Sequence, residues 1–169
     1  MPSIDHIALE VLARTPRVVR ALLSDLPSSA LEAPNDEGWS VKHIVAHLVD
    51  VETGVMVDRI TRLLEAERPF IRSIDPPARL AAGGYAQRSL DDLLDDLARQ
   101  REAHVPWLAS LSVDQLARRG DHDEVGEIRV VDLAHQWAAH DLSHLRQLAL
   151  MLQTHVAPLM GNTRAFYDV

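Results

Sequence analysis

Apolar positions recur every three or four residues through most of the chain, while Gly, Pro and polar clusters fall between the periodic segments. That pattern predicts amphipathic helices joined by loops. The first segment places Ile4, Ile7, Ala8, Val11, Thr15, Val18, Leu22 and Leu26 on one stripe, a helix over residues 3–26. Pro16 lies inside it, and a proline removes one backbone hydrogen bond and crowds the preceding turn. A kink near Thr15, or a short first turn that restarts there, is expected. Residues 27–38 read as a polar connector. A second helix starts at Trp39-Ser40, where Ser40 can cap and Trp39 can staple onto Ile44. Val41, Ile44, Val45, Leu48, Val51 and Val55 carry it to about residue 66, and Pro69 with Asp75-Pro76-Pro77 prevents continuation.

Residues 67–88 read as a loop longer than the roughly 12–15 residues usual in compact domains, open to use as a lid, a partner surface or a plain excursion. Ser89-Leu90-Asp91-Asp92 has capping-box spacing with Asp in place of Glu. It opens a third helix through Leu93, Leu94, Leu97 and Arg101 to about residue 111, with Pro106 bending its last turns. After a polar connector at 112–127, a fourth helix is expected over 130–153 and a further short one in the tail 155–169. No strand pair joined by a hairpin turn is evident. Four amphipathic helices of about 20 residues, with connectors that let neighbours turn back, predict an all-α fold: one four-helix bundle domain over residues 1–169.

Composition fits that reading, with 47% apolar, 25% charged and only 4% aromatic residues in a chain of 169, enough for one sizeable core. The net charge of −8 lacks the basic footprint that binds a phosphate backbone, which argues against nucleic acid as a partner. Charges interrupt every apolar run near the start, and no later stretch approaches the roughly 18 apolar residues of a membrane span. A cytoplasmic protein with no membrane partner is expected. The absence of Cys excludes disulfides, thiolate metal sites and a cysteine nucleophile, so any metal must rest on the nine His and the carboxylates.

The fourth helix carries the most informative break in an apolar stripe. Val130, Leu133, Trp137, His140, His144, Leu148 and Met151 form a seam interrupted only by His140 and His144. Residues four apart lie one turn above each other, so both imidazoles project into the bundle, which is how a helix offers two ligands to one ion. Without a metal such a pair leaves polar atoms to satisfy in an apolar setting, at about 1–3 kcal/mol each. A third ligand should come from another helix. His47 borders the apolar face of the second helix beside Ile44 and Val51, whereas His43 is rotated toward the polar side and reads as solvated. His6, His104, His122, His135 and His155 are scattered and need no functional explanation. Three neutral imidazoles make an open site of catalytic type. Zinc is the default ion for this donor set, and nickel, iron and cobalt also accept it. Asp50, Asp58 and Asp141 are candidates to receive the second ring N–H of the ligands. Glu52 falls inside the apolar stripe and should be paired, with Arg101 as the candidate.

Gly38-Trp39-Ser40-Val41, His47-Leu48-Val49-Asp50 with Glu52, and His140-Asp141-Leu142-Ser143-His144-Leu145-Arg146-Gln147-Leu148 together resemble the DinB-like superfamily of metal-dependent bundle proteins. The resemblance spans nearly the whole chain. It implies an up-down-down-up bundle, often a homodimer, with a divalent metal on His47, His140 and His144. It further implies a thiol-dependent S-transferase or a hydrolase acting on small electrophiles, with bacillithiol, mycothiol or glutathione as the thiol partner in the characterised transferases. The other reading is a non-catalytic dimeric metal-binding bundle with a stress-response or interaction role. The sequence departs from the family at Gly126-Glu127-Ile128-Arg129, which lacks the Ser or Thr cap expected before the last helix.

Overall fold

The computed structural model describes residues 1–167. Its first long helix, α1 (His6–Leu23), begins where the Asp5 carboxylate accepts the Ile7 amide at 2.8 Å. The helix runs through Pro16 without a restart. Pro16 has no N–H for the Leu12 carbonyl, and that carbonyl instead accepts Arg101 Nη1 at 3.1 Å. A short helix, α2 (Ser28–Glu32), occupies part of the connector before α3 (Val41–Val51).

The second predicted helix is not one regular element. A π-turn over Glu52–Val57 separates α3 from α4 (Asp58–Glu65). The wider turn brings Glu52, Val55 and Met56 together into the interior, with Ile60 and Leu63 following. Helix α6 (Leu90–Ala109) opens with the Ser89–Asp92 capping box and contains Pro106. Helix α8 (Val130–Val156) starts without Ser or Thr: the Asp132 carboxylate accepts the Arg129 amide at 3.0 Å and is gripped by the Arg129 guanidinium. The tail continues as 3-10 turns over Ala157–Phe166, interrupted at Gly161, whose backbone is not helical (φ 55°, ψ −137°), while residues 168–169 of the predicted tail helix lie outside the described residues.

Both α1 and α3 pack on α6 and α8 rather than on each other, so the first two long helices sit diagonally across the bundle. Their arrangement divides the core. Leu12, Val55, Ile60, Leu63, Trp137 and neighbours fill one half; Val19, Ile44, Leu48, Leu93, Leu97 and Leu148 are among those that fill the other.

Two expectations need correction. The fold is mostly helical but not all-α: β1 (Phe70–Ile71) runs parallel to β2 (Arg119–His122), which pairs antiparallel with β3 (Gly126–Arg129). The hairpin escapes a period-two reading because its strands are four residues of mostly polar character, with Gly120 and Ile128 facing the core as a pair. Gly120 is required, since a Cβ there would lie 2.5 Å from the Pro69 carbonyl oxygen. The segment 67–88 is also not a bare loop. Besides β1 it contains α5 (Pro76–Ala82), capped by Asp75, and a 3-10 turn at Tyr85–Gln87, and α5 packs on α3. Between α6 and β2 lies the one-turn helix α7 (Val113–Leu116). Among the described residues no helix is long and apolar enough to cross a membrane.

Candidate metal centre

Helix α3 supplies His47 and α8 supplies His140 and His144, one turn apart, at the contact between the two helices. His47 Nε2 lies 3.1 Å from His140 Nε2, which lies 3.1 Å from His144 Nε2. All three nitrogens fall within 4.8 Å of one another. His47 is buried and the other two are half-buried. The Trp39 indole closes one side, edge-on to the His47 ring with centroids 5.4 Å apart.

Burial, followed by the charge His144 would carry, lowers the His47 pKa to about 4. Burial with its two neighbours lowers His140 to about 3, and burial also lowers His144, against a hydrogen bond to the Gln147 carboxamide oxygen that opposes the shift. All three are therefore neutral near pH 7, each with one ring lone pair. A single ring nitrogen offers one N–H or one lone pair, so His140 Nε2 cannot satisfy both contacts at once. A divalent ion accepts all three lone pairs together, and the donor set fits one.

The carboxylates expected behind the ligands are engaged elsewhere. Asp50 receives Arg79 Nε at 2.8 Å and Nη2 at 3.0 Å, and accepts the Tyr85 hydroxyl at 3.2 Å. The bond to Asp50 holds the Arg79 pKa above its usual value. Gly54 makes room, because a Cβ there would lie 2.2 Å from Arg79 Nη2. This clamp fastens segment 67–88 to the helix that bears His47. Asp58 lies 3.9 Å from Arg62, and Asp141 pairs with Arg101. The side chain that does reach a ligand is Gln147, whose Oε1 is 2.9 Å from His144 Nδ1. His47 Nδ1 and His140 Nδ1 are buried without a partner.

The expected Glu52–Arg101 pair is present and is part of a larger buried cluster. Arg101 donates to Asp141 through Nη1 and Nη2, at 2.7 and 2.9 Å, and through Nε to Glu52. Burial works against its charge, but the attraction of Asp141 and Glu52 outweighs it and holds the guanidinium pKa above its usual value. The other Glu52 oxygen is 2.9 Å from His104 Nδ1, which must carry a hydrogen to bond an ionised carboxylate. Trp137 lies beneath the guanidinium at 5.1 Å. Arg101 thus joins α1 through the Leu12 carbonyl, the π-turn through Glu52 and α8 through Asp141.

His43 and His135 have structural duties. His43 is exposed, as expected, but its Nδ1 accepts the Ser40 amide at 3.1 Å in a capping box. His135 Nε2 accepts the Asp5 amide at 3.0 Å. His6 and His155 are exposed. Sequence reasoning missed Trp39 as a wall of the centre, Gln147 as a ligand's partner, and His104 as a member of the buried cluster. The i, i+3 spacing of His144 and Gln147 was the available signal for the second.

A cleft of about 500 Å³ opens beside Trp39, His43, Leu80 and Tyr85, and another of about 440 Å³ beside Gln147, Met151 and Asp36. Glu37 lines both, so the connector ahead of α3 divides them.

The fold and the site together define a helical-bundle protein with a three-histidine centre between two of its long helices. Its family follows from the sequence: residues 12–148 match the profile of the DinB superfamily, and the chain belongs to it. It is 28% identical over 149 residues to YfiT of Bacillus subtilis (strain 168), a protein named as a candidate metal-dependent hydrolase, with 83% of this chain and 82% of YfiT covered. A solved structure of YfiT from Bacillus subtilis, described as having an unusual four-helix bundle topology, superimposes with a TM-score of 0.73 at 23% identity, covering 90% of this chain and 92% of that one.

Proposed function

We propose that this chain is a metal-dependent enzyme that activates a small nucleophile at His47, His140 and His144 for attack on a small electrophile. The observation that carries the reading is the convergence of three neutral imidazole nitrogens within 4.8 Å. Neutral ligands leave the full charge of a divalent ion uncompensated, and such an ion supplies Lewis acidity that lowers the pKa of water or of a thiol. Zinc is the ion this donor set favours, with nickel or iron as alternatives. The chain's own residues hold and shape the site. His47, His140 and His144 offer lone pairs without first losing protons near pH 7, Trp39 packs edge-on against His47, and Gln147 accepts at the back of His144.

Hydrolysis, with water as nucleophile, is the reaction suggested by the name of YfiT. Thiol transfer to an electrophile is the second reading. The donor set favours it because a site of neutral imidazoles on a borderline-soft ion welcomes an anionic sulfur ligand, and the chain has no Cys, so the thiol would come from a co-substrate. The same proposal takes the protein as one up-down-down-up domain, a cytoplasmic homodimer that binds neither nucleic acid nor membrane. Incubating metal-loaded protein with an activated ester and with an aryl halide, each with and without a low-molecular-weight thiol, tests the reaction. Metal-dependent turnover lost in His140→Ala/His144→Ala supports the enzyme reading, and dependence on thiol selects transfer over hydrolysis. No turnover in any arm favours a non-catalytic metal-binding bundle with a stress-response or interaction role.

A further inference from the structure

The three imidazoles differ behind their ring planes. His47 Nδ1 and His140 Nδ1 are buried without a partner, whereas His144 Nδ1 faces Gln147 Oε1 at 2.9 Å. A carboxamide oxygen only accepts, so the contact is a hydrogen bond only if Nδ1 carries the hydrogen. The Nε2 of a neutral ring is then bare, and its lone pair lies in the ring plane facing His140 Nε2, 3.1 Å away. The other tautomer would set two lone pairs against each other at Nδ1.

Gln147 is well placed to hold that state. It lies one turn after His144 on α8, with Leu148 beside it fully buried and anchoring the helix. Gln147 itself is half-buried at the wall of the cleft beside Met151 and Asp36, so its side chain can be exchanged without opening the core. Among the described residues the hydrogen bond its side chain makes is that of Oε1 with His144 Nδ1.

We propose that Gln147 is the positioning residue of the histidine centre: it fixes His144 as the Nδ1–H tautomer and aims its Nε2 lone pair at the ion site. His144 is thus the ligand that the protein prepares in advance, while His47 and His140 adopt the required tautomer on binding. The inference rests on the metal-centre reading above. A partner of this kind changes metal affinity by about 10–100-fold.

Two variants separate its role from packing. Gln147→Leu removes the acceptor with similar volume, and Gln147→Glu keeps an acceptor at the same reach. Cobalt(II) affinity is measured by competition with a chelator at pH 8, with the visible spectrum as a second readout and circular dichroism to confirm folding. Wild type and Gln147→Glu should bind within a few-fold of each other or Glu more tightly, and Gln147→Leu should bind at least about 10-fold more weakly. Nitrogen-15 histidine spectra of the metal-free protein should show the Nδ1–H form of His144 in wild type and a mixture of tautomers in Gln147→Leu. Wild-type affinity in Gln147→Leu, or equal loss in Gln147→Glu, overturns the proposal. The His140→Ala/His144→Ala protein is the control: if it still binds cobalt as wild type does, the centre itself is misassigned, whereas loss there with no change in Gln147→Leu defeats only the role of Gln147.

Discussion

Replacing Arg101 with Met removes the cation that two buried carboxylates share. The side chains of Glu52 and Asp141 are 0% exposed and that of Arg101 is 3% exposed, so water cannot take over its role. Arg101 also satisfies the Leu12 carbonyl that Pro16 leaves unbonded. Removing one partner of a buried ion pair costs about 3–5 kcal/mol, because the remaining charge is stranded. Against a typical domain stability of about 5–15 kcal/mol, that loss is large but survivable. Urea unfolding of metal-free protein, followed by circular dichroism, measures it. Burial already holds the Asp141 carboxyl above the usual carboxylate range against the opposing pull of Arg101, so in Arg101→Met Asp141 should take up a proton in the folded state more readily still than in the unfolded chain. Proton binding then favours the fold, so the deficit should shrink as pH falls from 8 to 5. Replacing the whole cluster, Arg101→Met with Glu52→Met and Asp141→Leu, should recover most of the deficit, short of the roughly 1–3 kcal/mol left by the unbonded Leu12 carbonyl. A loss below about 1 kcal/mol in the single variant that does not change between pH 8 and 5 would refute the view that burial of paired charge governs this cluster.

Two further outcomes follow from the same geometry. The lowered pKa values of His47 and His140, about 4 and about 3, mean that the unfolded chain binds protons more readily than the fold below pH 6.5. Metal-free protein should therefore keep this contribution above pH 6.5 and lose stability as pH falls toward 4; His140→Gln should flatten that slope, and an unchanged slope would count against burial as the cause. Gly54→Ala should push Arg79 off Asp50, cost about 1–2 kcal/mol, and expose segment 76–87 to proteolysis. Arg79→Ala should do the same, and the two changes should not add; full additivity in a double-mutant cycle would show that Gly54 does not act through Arg79.

The long helices were legible because their information is local: caps at Ser40 and Ser89, and apolar stripes that α3 and α6 keep, whereas the face α1 buries runs through Ala8, Leu12, Thr15, Val19 and Leu23 and leaves Ile7 and Val18 of the expected stripe exposed. The histidine pair was legible for the same reason, since helical spacing alone puts His140 beside His144. His47 needed one further step, the assumption that two stripes face each other. What escaped reading depends on contacts distant in sequence or on backbone geometry without a residue signature. The β2–β3 hairpin has too few apolar side chains to show alternation, and β1 joins it through Pro69 and Gly120 from the far side of α6. The π-turn over Glu52–Val57 leaves the spacing of Val51 and Val55 unchanged and so gave no sign of itself, although the inward place of Glu52 and its pairing with Arg101 were legible. Asp50 looked available to a ligand because nothing near it in sequence announces Arg79 and Tyr85. The cap of α8 was hidden because an Asp three residues into the helix serves where a Ser or Thr was sought.

The central claim is that His47, His140 and His144 together hold one divalent ion. Its most direct test is the metal content of protein purified without chelator, by mass spectrometry, beside His140→Ala/His144→Ala prepared in the same way. The account predicts about one ion per wild-type chain and essentially none in the variant. Equal metal content in the two proteins, or failure of the wild type to take up zinc, nickel or cobalt on titration, would contradict it.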